Sequence, residues 1–290
     1  MLTELNENKL IQIKVHFKTI LEEGFSIIQD NNDKFNVYQS LFKRYIYCFE
    51  SLNTLLQDFG TDKLHRAQSI AIILRASLLD YLTTLYLKTY HLEKKAGVKS
   101  FKSSYDEEFR KLLSEQIRRM ISVSNKDKNT EMYDHTKFCG FIDNIHRNFK
   151  SLFDNTKPLD YDKPENSLKY KRRDDINSGV IRTRLDSFSK NMNGIDYLHV
   201  FTLYDLYSKY DHFGVASMLL EEMDINEVCE NMFWSIFHLV DGITFCEELL
   251  IAEVKSKSDF KKIGDELSCL KGTIYTKSLF LSEKYKKENK

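Results

Sequence analysis

Proline is nearly missing from this chain: there are two in 290 residues, Pro158 and Pro164, and both fall in one short stretch. Proline removes a backbone N–H and clashes with the preceding turn, so its rarity leaves long helices unbroken. Only ten glycines soften the backbone elsewhere. The expected fold class is therefore all-α, a multi-helix bundle with long antiparallel helices. A hydrophobic share of 42%, with 20 Phe and 16 Tyr, is enough to fill a substantial core.

Helical periodicity runs through most of the sequence. Ile13, Phe17, Ile20, Leu21, Ile27 and Ile28 mark a first helix within Leu10 to Gln29, and Leu41, Tyr45, Cys48, Phe49, Leu52 and Leu55 a second within Val37 to Phe59. A third, from Asp62 to about His91, carries a broad apolar face that Ile72 and Leu79 extend, which predicts a central position. Further helices are expected over 106–123, 131–153, 176–192, 196–220, 225–254 and 260–284. No period of 20 to 50 residues repeats, so a bundle is expected rather than a solenoid. The whole chain, 1–290, is read as a single helical domain, with 154–175 an irregular basic insertion that holds both prolines and the run KYKRRDD.

Lysine plus arginine (43) equals aspartate plus glutamate (43), which excludes a global field that would attract nucleic acid or an anionic membrane. Five cysteines, Cys48, Cys139, Cys229, Cys246 and Cys269, form no C-x-x-C pair and read as reduced core thiols of a cytoplasmic protein. The N-terminal MLTELNENKLIQIK lacks the apolar run of a signal peptide. The closest approach to a membrane span, Phe233 to Cys246, is interrupted by His238 and Asp241, so it reads as a core helix and no membrane partner is expected. Motifs for phosphate loops, zinc proteases, serine hydrolases and calcium loops are missing, and neither metal nor cofactor is expected.

What stands out instead is polarity inside apolar helices, where an uncompensated charge is costly. Arg75 lies between AIIL and ASLLDYL. Its nearest acid, Asp80, is five residues on, about 140° around a helix, so each is expected to seek a partner on another helix. In YDLYSKYDHFG, Tyr204, Asp205, Ser208 and His212 share a face within about two turns, and a histidine held by hydroxyls and carboxylates can move protons near neutral pH. The helix around Arg75 is expected to pack against this one. His238 and Asp241, three apart, read as a structural pair, and His146, Arg147 and Lys150 as a solvated basic edge. Between Lys169 and Arg184, six basic and two acidic side chains accumulate. Lys169, Tyr170, Lys171, Arg172, Arg173, Arg182 and Arg184 are the candidate nucleic-acid contacts, because arginine forks grip phosphate and Tyr170 offers a ring for base stacking.

Two of these stretches, ILRASLLDYLTTLYL (Ile73 to Leu87) and LYDLYSKYDHF (Leu203 to Phe213), resemble a bacterial branch of the HEPN-like helical domains. The resemblance implies a helical bundle, frequent dimerisation, and a role in phage defence or a toxin system, among relatives that cleave RNA and inactive ones that only bind. RNA or a nucleotide, and a second copy or a partner protein, are the partners it implies. The site it implies is Arg75, Asp80, Ser208 and His212, with His212 moving the proton of a ribose hydroxyl and Arg75 stabilising charge on phosphate. The chain departs from active HEPN ribonucleases in that no arginine is followed five to seven residues later by histidine. The same residues also fit a non-catalytic interaction protein in which polar clusters tie helices together.

Overall fold

Apolar residues recurring every three to four positions do become helices. The structure, a computed structural model, describes residues 2–30, 37–57, 59, 65–95, 114–115, 117–123, 134–148, 152–153, 176–188, 197–209, 223–253 and 258–288. Along them run α1 (Glu4–Asp30), α2 (Val37–Leu56), α3 (His65–Lys95), α4 (His135–Asn148), α5 (Ser178–Phe188), α6 (Tyr197–Ser208), α7 (Ile225–Glu253) and α8 (Ser258–Glu288), with a further helical segment at 117–123. No β-strand occurs among the described residues, so the chain is all-α there. The proline-bearing stretch 154–175, the proposed cap Asp62, Lys150 and His212 lie outside the described residues.

Helix starts follow local chemistry. Thr3, Asp134, Asn177 and Asp224 each precede a helix and offer a side-chain oxygen to a backbone N–H of its first turn, at 2.9 to 3.3 Å. Such a cap is worth roughly 1 kcal/mol.

The chain divides into two units, residues 1–85 with 189–290, and residues 86–188. In the first, α1 packs on α2 and α8, and α7 packs on the same two helices. Contacts fix the directions. On α1 and α2, Phe17 meets Phe49 and Phe25 meets Tyr47; on α2 and α7, Tyr38 meets Phe245 and Tyr45 lies against Gly242; on α7 and α8, Phe237 meets Tyr275 and Asp241 pairs with Lys271. As one number rises the other falls, so these neighbours are antiparallel and form an up-down-up-down four-helix bundle. Its core includes Ile13, Phe17, Phe49, Leu52, Phe233, Ile236, Leu239, Ile243, Ile263 and Leu270, all essentially inaccessible to water. Residues 65–85 of α3 lie against α2: Ser77 hydrogen-bonds Cys48, and the Tyr45 hydroxyl meets Thr84 Oγ1 at 2.7 Å.

Two expectations about apolar residues need correction. Ile72 and Leu79 are 47% and 37% exposed, so they line an outer face of α3 rather than widening its buried one. Among the described residues, Arg66–Glu93 of α3, not Phe233 to Cys246, form the helix long and apolar enough to cross a membrane by composition alone; 61% of its most apolar stretch is buried inside the protein. Four cysteines are buried and Cys269 is exposed; all five are free. Burial pushes the Cys48 and Cys229 thiols up to about 12, so neither is a ready nucleophile.

The second unit has its own core, in which Ile117 and Ile121 meet Phe138, Ile142 and Ile145 of α4 together with Leu152 and Phe153. Phe141 packs against it from the rim.

On the seam of α7 and α8, Glu247 is only 7% exposed, and a Cβ at Gly264 would stand 3.0 Å from its Oε1. Burial first, then the charges of Glu248 and Asp265, raise its carboxyl to about 7. The folded state therefore holds this proton more tightly than the unfolded chain. Its stabilising contribution is whole below the ordinary carboxylate range and is lost as pH rises through about 7. Glu247→Gln is expected to raise stability at pH 8 by roughly 1–2 kcal/mol, after discounting for partial solvent access, and to change it little at pH 4. Thermal melts of both proteins across that range check the sign.

Candidate functional site

Arg75 faces α6 from α3. Its Nε–H donates to Ser208 Oγ at 3.1 Å, and Ser208 in turn donates to the Tyr204 carbonyl one turn back, at 2.8 Å. The guanidinium carbon stands 6.0 Å from the centre of the Tyr204 ring. Of the expected packing of the Arg75 helix on the helix of the Tyr204–His212 cluster, the contact with Tyr204 and Ser208 is observed in the first unit, and the part that concerns His212 lies outside the described residues. Ser208 holds the Nε edge of a fork with five N–H groups, and Tyr204 holds its face. Arg75, Tyr204 and Ser208 are all half-buried, and Asp205 is exposed.

Asp80 goes elsewhere. Its Oδ2 accepts from Arg44 Nε on α2 at 2.8 Å. Burial raises the Asp80 carboxyl and the Arg44 charge pulls it back down, while the same hydrogen bond raises Arg44. The 140° offset read from the sequence is the physical reason: one helix presents Arg75 to α6 and Asp80 to α2. The structure brings together Arg75 and Ser208, with Tyr204, and sends Asp80 to another seam.

The basic cluster divides as well. Lys169, Tyr170, Lys171, Arg172 and Arg173 lie outside the described residues, and Arg182 is exposed on α5. Arg184 is engaged within its own unit. Its Nε–H donates to Thr89 Oγ1 at 2.9 Å, its Nη2 pairs with Glu93 at 2.6 Å, and its guanidinium lies 4.1 Å from the Tyr90 ring and 5.0 Å from that of Phe188. His146 lies beside Phe153, and Arg147 pairs with Asp143 one turn back on α4.

His238 and Asp241 do not pair with each other: Asp241 binds Lys271 of α8, whereas His238 Nε2 faces His199 Nδ1 of α6 at 3.1 Å and stacks on Tyr81. In such a pair one ring nitrogen donates and the other accepts. A second histidine that the sequence left unmarked, His16, holds Glu266 through Nδ1 at 2.7 Å and Thr273 through Nε2 at 3.2 Å. That order of carboxylate, imidazole and hydroxyl is the order of a proton relay. Thr273, however, sits mid-helix in α8, where backbone N–H groups are committed to the helix ladder and cannot cradle an oxyanion. The triad ties α1 to α8. Partners 39 and 250 residues apart leave no spacing signal in a sequence.

No group of three or more histidine, cysteine or acidic side chains among the described residues is arranged to hold a metal ion. No protein family, curated protein or solved structure matches this chain.

Proposed function

We propose that the chain is a HEPN-like helical protein of a bacterial defence or toxin system, and that the Arg75–Ser208 seam grips the phosphate of a nucleotide or of RNA. One observation carries the reading: Arg75 is half-buried in an apolar helix, braced by a neutral hydroxyl on its Nε edge and by the Tyr204 ring on its face. Such bracing fixes the plane of an arginine fork in advance, which lowers the entropic cost of engaging phosphate. The role it supports is recognition. Cleavage would add His212 as the group that takes the ribose hydroxyl proton.

A second reading, a non-catalytic scaffold, draws on a different observation. Asp80, the acid the resemblance assigns to the site, is held by Arg44 on another seam, as a residue that ties helices together would be. Expression in a bacterial host separates the two. The wild-type chain is expected to slow growth, with Arg75→Ala and His212→Ala each restoring it while accumulating as soluble protein. Equal growth with all three would favour the scaffold.

A further inference from the structure

Between residues 66 and 85, the exposed positions of α3 are Ser69, Ile72, Ala76 and Leu79. At about 100° per residue they fall within about 80° of the helix surface, spaced three, four and three apart. None carries a charge, although charged residues make up 30% of the chain and ordinarily gather on the outward face of a surface helix. The charged residues of this segment are turned sideways instead: Arg66 to the Leu55 carbonyl and Asp80 to Arg44, both on α2, and Arg75 to Ser208 on α6. The opposite side of the helix, with Leu74, Leu78 and Tyr81, lies in the core. What faces outward is an uncharged ridge between the seams to α2 and α6, on which Ile72 is 47% and Leu79 37% exposed.

We propose that this ridge pairs two copies of the chain, α3 against α3, antiparallel about a two-fold axis. Spacings of three and four are those of a coiled-coil seam, and along this one the sizes alternate: Ser69 small, Ile72 large, Ala76 small, Leu79 large. The register follows from size. In an antiparallel pair centred level with Leu74, Ile72 of one copy meets Ala76 of the other and Leu79 meets Ser69, and the two-fold repeats each layer. Every layer then holds one large and one small side chain, which fills the space without strain. A parallel pair would stack Ile72 on Ile72 and Ala76 on Ala76, crowding one layer and hollowing the next. A second copy carries the matching pattern by symmetry, which is the reason to assign the ridge to it rather than to a foreign helix. Charge does not oppose the pairing: lysine plus arginine equals aspartate plus glutamate, and the ridge brings no charge to be desolvated. So narrow a ridge falls short of the roughly 1,600 Å² of a standard interface, so the pair is weak, with a Kd of about 10–100 μM. The inference does not draw on phosphate recognition by Arg75.

Sedimentation equilibrium of the full chain over roughly 1–300 μM tests it, under reducing conditions because Cys269 is exposed. A reversible monomer–dimer equilibrium is expected. Ile72→Glu, which would bury a carboxylate in the seam, is expected to stay monomeric throughout that range. Ala76→Ile sets two large side chains in each central layer and is expected to weaken the dimer about tenfold or more. Ile72→Ala combined with Ala76→Ile exchanges the sizes within those layers and is expected to restore the affinity to within about threefold of the wild type. All these positions are exposed, so the melts of the dilute proteins should match that of the wild type. A wild type that is monomeric at every concentration, or Ile72→Glu dimerising as the wild type does, would overturn the proposal. Tighter association of Ala76→Ile would also overturn it, because a merely sticky surface or a parallel pair gains from the added side chain where the antiparallel layers lose.

Discussion

Gly242→Ala is expected to be among the most destabilising single-methyl changes in the bundle, costing about 2–3 kcal/mol. Glycine 242 lies on α7 where α2 comes closest: a Cβ there would stand 2.6 Å from Cζ and the hydroxyl oxygen of Tyr45. Contact that close requires a shift. Tyr45 has little freedom to give way, being 1% exposed and tied through its hydroxyl to Thr84, which itself donates to the Asp80 carbonyl. Moving the ring would break that buried bond or separate α2 from α7. For a unit of this size the melting temperature should fall by roughly 4–12 °C. Gly140→Ala on α4 is the control, since nothing stands within 4 Å of its Cβ. Alanine is the better helix former, so that change should stabilise by about 0.5–1 kcal/mol. Equal effects at the two positions would mean that the close approach of α2 and α7 is wrong.

Arg184→Ala should be comparably costly in the other unit, about 2–4 kcal/mol, because it removes four contacts together. Thr89 loses its donor, Glu93 is left with its charge about three-quarters shielded from water, and Tyr90 and Phe188 lose the plane between them. Arg184→Lys should recover only part of the loss, since an ammonium cannot present two edges and a face at once. Denaturant unfolding of the full chain measures both. If Arg184 served instead as a nucleic-acid contact, Arg184→Ala would leave stability unchanged, weaken RNA binding and flatten its salt dependence.

These two residues also mark how far the sequence was legible. The helices were readable because their apolar residues keep a period near 3.6 over many turns, and a chain with so few prolines gives that pattern little competition. Ile225–Glu253 agrees with its expected span to one residue. One end was less legible where a cap decides: α4 begins after Asp134 rather than at Glu131, while 189–192, where the helix expected over 176–192 was to end, lie outside the described residues. Periodicity gave the width of the apolar face of α3 but not which part of it would be covered, hence the exposure of Ile72 and Leu79.

For the site, helical geometry on one element was the reliable guide. The 140° between Arg75 and Asp80 correctly implied two different partners, Ser208 and Arg44. Adjacency in sequence was a poor guide. Charge counted along a window groups Arg184 with the basic run because it takes no account of where a helix points, and in the fold its guanidinium is held by Thr89 and Glu93. His199 and His16 went unmarked because their partners, His238 and Glu266, are brought near only by packing.

The central claim is that the Arg75–Ser208 seam recognises phosphate rather than merely joining α3 to α6. Fluorescence anisotropy of a labelled single-stranded RNA and of a labelled mononucleotide, titrated with wild type and with Arg75→Ala and paired with the thermal melt of each protein, tests it most directly. The account predicts that the wild type binds at least one probe and that Arg75→Ala weakens that binding by about tenfold or more while losing no more than about 1 kcal/mol of stability. Binding equal in the two proteins, or a wild type that binds neither probe beside an Arg75→Ala destabilised by more than about 2 kcal/mol, would contradict it and leave the seam as a structural tie.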